Sequence, residues 1–138
     1  YTDSSFRQVI NTLLNGADIV VAIRDRNYQK NLPPFRRFLS ESSHLCNAVF
    51  LRLKIRDTQG GLKGFNRSGK RIFLSTKVNS FLFDTEFIYK AQRKKMNIQA
   101  VQSRIRDGLT VSDMGFKVLK REMVNFFSIL LSNDLTQF

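Results

Sequence analysis

Two short stretches of the chain concentrate residues able to hold a phosphate or move a proton. The first is Asp57-Thr58-Gln59-Gly60-Gly61-Leu62-Lys63. Its glycines let backbone approach a ligand closely, and Lys63 can set a positive charge beside a phosphate. The Gly-x-x-x-x-Gly-Lys spacing of a nucleotide-binding P-loop is absent, and a purely structural reading makes the stretch a tight turn before a strand. The second is Phe83-Asp84-Thr85-Glu86. Two carboxylates at a helix start can accept from orphan backbone N–H groups, which is the simpler reading for Asp84. They can also line a pocket at a strand-to-helix junction, where α/β folds hold ligands. A third set is basic: Arg24, Arg26, Lys30, Arg36, Arg37, Arg104 and Arg106 lie in or beside predicted loops. Any one of them reads as a solvated charge. As a group beside two strand ends they favour a phosphate-bearing ligand, which arginine grips with paired hydrogen bonds.

Composition narrows the chemistry. There are 23 Lys and Arg against 11 Asp and Glu in 138 residues, a formal charge of +12. That balance calls for an anionic partner: phosphate groups, nucleic acid or an anionic lipid surface. The single cysteine, Cys46, excludes an internal disulfide, and with one histidine, His44, the chain lacks the ligands of a structural zinc site. One histidine also leaves little room for a Ser/His/Asp or Cys/His nucleophile. No run of eighteen apolar residues appears. A hydrophobic share of 42% fits a globular domain. The length suits one domain, 1–138, able to bury roughly two-thirds of its unfolded surface. Tyr1 is not an initiator Met, and the chain reads as a piece of a longer protein.

The elements that must position these residues follow from periodicity. Thr2 to Ser5 opens a helix carrying Phe6, Val9, Ile10, Leu13 and Leu14, which Asn15-Gly16 stops. Ile19 to Ile23 is a buried strand. After a polar loop, Pro33-Pro34 opens a helix to about Lys54. Its expected buried face is Phe35, Phe38, Leu39, Ser42, Leu45, Cys46, Val49, Phe50 and Leu53. Leu62 to Phe65 is a short strand and Ser68 to Leu74 a helical turn or short helix. Thr85 to Lys95 is a helix with Phe87, Ile88 and Ala91 inward. Ile98 to Ile105 is a strand, Arg106 to Thr110 a loop, and Ser112 or Asp113 caps a last helix to about Ser132. The order predicts an α/β layer fold, helices packed on a short mixed sheet. The last helix is wide for one buried stripe over Phe126 to Leu131, and its Lys117, Lys120 and Arg121 suit a membrane interface as well as core packing.

Taken together the segments resemble the C-terminal half of the catalytic domain of family-2 glycosyltransferases, in the branch of the dolichol- or polyprenyl-phosphate sugar synthases. NGADIVVAIR (15–24) is similar to the family's Gly-Ala-Asp, hydrophobic strand and Ser-Arg stretch, with Ile23 where Ser is usual. RDTQGGLKGF (56–65) looks like its Asp-Thr-Gln-Cys-Gly-Phe-Lys segment, and FLFDTEFIYKAQRKKMNI (81–98) like its Phe-Asp-x-Glu helix and following strand. SRIRDGLTVSDM (103–114) is similar to a late loop reading Arg-x-x-Gly-x-Ser-Lys, with Asp113 where Lys is usual.

The resemblance implies a partial GT-A, Rossmann-like fold and the acceptor side of an enzyme that transfers a sugar from a nucleotide sugar with inversion. The implied acceptor is a polyprenyl or dolichyl phosphate, or another glycan. Asp84 and Glu86 would lie at the catalytic centre. Arg24, Arg36 or Arg37, Asp57, Gln59, Lys63 and Arg106 would form the acceptor and phosphate site. The family also implies a divalent metal, Mg or Mn, in the full-length protein. Its N-terminal nucleotide-binding units and Asp-x-Asp motif are missing here, so no metal is expected on this piece, which alone should be inactive. Aligning that motif to Asp3 and Ser5 leaves one carboxylate short; an ungapped count places it before Tyr1. The expected location is peripheral, at the cytoplasmic face of a membrane, with self-association through apolar surface where the missing half would pack. A different class, a non-catalytic basic module for nucleic acid or anionic lipid, fits the charge equally. Nucleic acid is disfavoured, because no RNP-type aromatic motif, helix-turn-helix signal or zinc finger is present.

Overall fold

A computed structural model describes residues 1–24, 33–55, 57–79, 82–104 and 116–131; the side chains of Arg36, Leu39, Phe116, Lys117 and Leu119 lie outside that set. In chain order the elements are α1 (Asp3–Leu14), β1 (Ile19–Arg24), α2 (Pro34–Phe50), β2 (Lys63–Phe65), α3 (Arg67–Leu74), α4 (Phe83–Arg93), β3 (Ile98–Ser103) and α5 (Phe116–Leu131). The expected α/β arrangement is present: helices on a small mixed sheet, a partial Rossmann-like fold. The sheet order is β2-β1-β3, with β1 antiparallel to β2 and parallel to β3.

β1 is the spine. Residues Ile19 to Ala22 are fully buried, as the β-branched run requires of a strand covered on both faces. Alternation divides its side chains. Val20 and Ala22 meet Val9, Ala17 and Val101 under α1. Ile19 and Val21 meet Phe87, Ile88, Leu51, Leu53 and Ile55 on the other face. The chain reaches β1 through Gly16, whose φ of +98° ends α1 in a conformation that favours glycine. Asp18 then braces the start of the strand. Its carboxylate accepts from the Asn66 side-chain amide at 2.7 Å and the Asn97 backbone N–H at 2.9 Å.

α2 departs from expectation. The helix ends at Phe50 rather than near Lys54, and Phe35, Phe38, Leu45, Val49 and Phe50 are exposed. The core is filled instead by Leu51, Leu53 and Ile55, which alternate with exposed Arg52 and Lys54. That period of two marks an extended segment. Gln92 of α4 holds it, accepting from the Lys54 N–H and donating to the Arg52 carbonyl. α5 likewise buries only a narrow stripe centred on Ile129, while Met123, Val124, Phe127 and Leu131 are exposed. Its Glu122 accepts from the Leu82 N–H at 3.1 Å, fixing the entry to α4. The predicted loop at 106–110, the caps Ser112 and Asp113, and the basic residues Arg26 and Lys30 lie outside the described residues.

Candidate active site

The parallel strands β1 and β3 end together at Arg24 and Ser103. Beside that edge the 57–61 turn and the first turn of α4 lie against each other. Thr58 and Thr85 are buried and share a hydroxyl hydrogen bond of 2.9 Å. Gly60 lies so close to β1 that a Cβ there would stand 2.2 Å from the Ala22 carbonyl oxygen. The Gly60 side of this turn therefore serves approach to the strand. The Gly61 N–H donates to the Tyr1 hydroxyl at 2.8 Å.

Four charges line this junction. Asp57 Oδ1 accepts from Arg24 Nη2 at 2.8 Å; Asp57 Oδ2 accepts from Arg24 Nε at 2.8 Å and from the Arg24 backbone N–H at 3.2 Å. Lys63 Nζ stands 3.1 Å from Asp84 Oδ2 and also donates to the Gly60 carbonyl. Lys63 is recruited because β2 begins opposite Val21, setting its side chain at the same end of the sheet as Arg24. The result is an alternating series: Arg24, Asp57, Lys63, Asp84.

Burial and partners shift these groups in different directions. Burial pushes the Asp57 carboxyl up, but the Arg24 fork and charge outweigh it and hold it below the ordinary carboxylate range. Burial pushes the Lys63 ammonium below its usual value, and the charges of Asp84 and Asp57 offset only part of that. Burial raises the Asp84 carboxyl; Lys63 opposes the rise and Asp57 adds to it. Asp84 is thus the carboxylate of the junction readiest to take a proton.

Asp84 does not cap α4; the Ncap residue Leu82 provides no side-chain cap and Asp84 turns to Lys63. Glu86 is not brought to the junction. Two residues along a helix is a rotation of about 200°, so Glu86 faces the opposite way. It accepts from the backbone N–H groups of Lys77 and Val78, each at 2.8 Å, and pairs with Lys90 at 2.6 Å. Burial raises Glu86, and these donors more than reverse the rise. Gln59 is exposed in the turn and Arg104 is exposed after β3. Arg37 is exposed and pairs with Glu41 one helical turn on, at 3.0 Å. Arg106 and the Arg36 side chain lie outside the described residues.

The sequence reading overlooked the threonine pair. Its signal was present, because the dipeptide Asp-Thr occurs at 57–58 and again at 84–85. Each Asp takes a cation and each Thr takes the other Thr. Among the described residues no group of three or more His, Cys, Asp or Glu side chains could hold a metal ion. Asp57 and Asp84 already face cations, so these residues do not fit the divalent metal that the resemblance implies.

No family model and no solved structure matches the chain. Curated proteins do. A dolichyl-phosphate beta-glucosyltransferase of Drosophila melanogaster is 35% identical over 71 residues, 51% of this chain and 22% of that protein. The dolichyl-phosphate beta-glucosyltransferase ALG5A of Trichomonas vaginalis is 37% identical over 81 residues, 58% of this chain and 25% of that protein. The match thus spans about a quarter of the length of these relatives. Over that stretch the chain is similar to dolichyl-phosphate beta-glucosyltransferases, in line with its resemblance to the family-2 glycosyltransferases.

Proposed function

We propose that the full-length protein transfers a sugar from a nucleotide sugar to a polyprenyl or dolichyl phosphate with inversion, and that residues 1–138 form the acceptor-side part of its GT-A catalytic domain. The observation that carries this reading is the seating of the 57–63 turn against the start of α4, with Arg24 paired to Asp57 and Lys63 to Asp84 at the carboxyl end of β1. Open α/β sheets hold their ligands at such strand ends.

A lipid phosphate is ionised at neutral pH and needs little help from a base. Arg24 and Lys63 would orient it so that one oxygen attacks the sugar from the face opposite the departing diphosphate. The charges of Arg24, Asp57, Lys63 and Asp84 cancel, so an incoming phosphate calls for cations beyond these four. Arg36, Arg37 and Arg106 are the sequence's own supply, and Gln59 a neutral donor at the rim. Asp84 would keep Lys63 in place, and would serve as base for a hydroxyl acceptor. The contacts of Glu86 support a role in holding the 75–78 segment rather than in the reaction. The divalent metal implied by the resemblance would take ligands from outside the described residues.

The reading includes a peripheral position on the cytoplasmic face of a membrane. No helix among the described residues is long and apolar enough to cross one. The exposed apolar faces of α2 and α5 support surface attachment; the Phe50 and Phe126 rings meet edge to face at 6.1 Å and join the two helices. The test is a screen of the full-length protein with nucleotide sugars and a polyprenyl phosphate, with an oligonucleotide titration in parallel. Transfer to the lipid phosphate is expected. Salt-sensitive oligonucleotide binding with no transfer overturns the reading.

A further inference from the structure

We propose that Tyr1 is a positioning residue, whose hydroxyl sets the Gly60–Gly61 peptide and through it the Lys63 ammonium that meets the acceptor phosphate. This deepens the reading of the junction as a phosphate cradle and rests on it. One peptide unit carries both contacts. The Gly61 N–H donates to the Tyr1 hydroxyl at 2.8 Å, and the Gly60 carbonyl accepts from Lys63 Nζ. Both groups belong to the bond between Gly60 and Gly61, which is trans. In a planar trans peptide the N–H and the C=O point to opposite sides. Tyr1 and Lys63 therefore hold one plane from its two edges, and hydrogen bonds at the two ends of an amide polarise each other.

A glycine on each side makes this plane easy to turn over, since no Cβ hinders the rotation. Packing does not prevent it. The approach of Gly60 to the Ala22 carbonyl fixes where the turn lies, but a peptide can rotate between two fixed Cα atoms. Turned over, it would aim an N–H at the Lys63 ammonium and take its carbonyl away. Tyr1 opposes that, because it is itself held. Its ring packs on the cluster of Val9, Ala17, Val20 and Val101, and the next residue, Thr2, donates its N–H to the Arg104 carbonyl just past β3 at 3.3 Å. Lys63 needs such an anchor, because a long flexible stem loses rotamer freedom when its charge is fixed, and a receptor that must first order its cation binds weakly. Among the described residues its ammonium has two partners, Asp84 Oδ2 at 3.1 Å and the Gly60 carbonyl. The carboxylate repels an arriving phosphate. The uncharged carbonyl holds the ammonium without that cost.

The test is steady-state kinetics on the full-length protein, varying polyprenyl phosphate and nucleotide sugar separately. Tyr1→Phe keeps the ring and removes only the hydroxyl. It is expected to raise the acceptor KM by about three- to tenfold, leaving the donor KM within about twofold. Lys63→Met should raise the acceptor KM further, and Tyr1→Phe added to Lys63→Met should cost nothing more, since Tyr1 acts through Lys63. A hydroxyl with a merely structural role would cost the same in both backgrounds. If Tyr1→Phe fails to fold by circular dichroism, Tyr1→Met serves in its place: it keeps apolar packing, lacks the hydroxyl and should give the same pattern. An unchanged acceptor KM in the folded variant, or an equal loss in both backgrounds, overturns the proposal while leaving the cradle reading intact. A wild-type protein that transfers nothing to polyprenyl phosphate overturns both.

Discussion

Thr58 and Thr85 bond to each other through hydroxyls 2.9 Å apart at a fully buried point, and each follows an aspartate facing a cation. The bond ties together two segments 27 residues apart in sequence, and the charged side chains of the cradle hang from its two ends.

Replacing one member of this pair leaves the other hydroxyl buried without its partner. Thr58→Val or Thr85→Val alone should cost about 1–3 kcal/mol. The double replacement should cost less than the two added, because no orphan hydroxyl is left. Urea unfolding of the four proteins measures this; additive losses would show that the bond contributes nothing.

The two carboxylates of α4 should respond to different assays. Asp84→Asn removes the counter-charge of Lys63 and should lower turnover of the full-length protein by about tenfold or more, with a smaller effect on melting. Glu86→Gln should do the reverse, lowering the melting temperature through the loosened 75–78 segment and sparing turnover. The paired measurements check the assignment, and the opposite split would place the chemistry on Glu86.

Acid should unfold the protein through Asp57 and Glu86. Both have folded values below their unfolded ones, so the unfolded chain takes up protons first as pH falls. Their stabilisation is complete above the ordinary carboxylate range, about pH 4, and is lost as pH falls through the depressed folded values. Asp84 runs the other way: its raised value makes its ionised form costly at neutral pH, and acid relieves that cost. Thermal melts from pH 7 down to 3 should therefore decline below about pH 4, and Glu86→Gln should flatten the decline while starting lower.

The exposed faces of α2 and α5 should bind lipid. Phe38 and Phe127 are 65% and 55% exposed, and burying one such side chain is worth about 1.5–3 kcal/mol. Phe38→Asp and Phe127→Asp should each lower partition onto anionic phospholipid vesicles by about tenfold, read by sedimentation. Unchanged partition would assign these faces to a protein neighbour instead.

The fold was legible wherever one stretch of sequence decides its own burial. α1, β1 and α4 follow from periodicity, and Gly16 from the need to stop a helix. α2 was not, because Phe35, Phe38, Leu45 and Val49 announce an apolar face without saying what covers it. The segment 51–55 hides its period of two behind apolar spacing that continues the helical pattern past Phe50. In the site, the meeting of the 57–63 turn with the start of α4 follows from the family resemblance, which puts both at one site. The partition of Asp84 from Glu86 follows from helical geometry, yet a motif read as a string groups them. The Arg24–Asp57 fork joins residues 33 positions apart, and spacing alone does not announce such a contact.

β1 is held by an aspartate near each end, and both attachments reach far along the chain: Asp18 to Asn66 and Asn97, Arg24 to Asp57. Such long-range closures form slowly, and during synthesis neither the brace at Asn97 nor strand β3 exists until the ribosome has released that part of the chain. Nascent chains stopped short of residue 97 should therefore carry a helix and an unsupported spine but no cradle. The junction of Arg24, Asp57, Lys63 and Asp84 should form abruptly, only after strand β3 has left the ribosome.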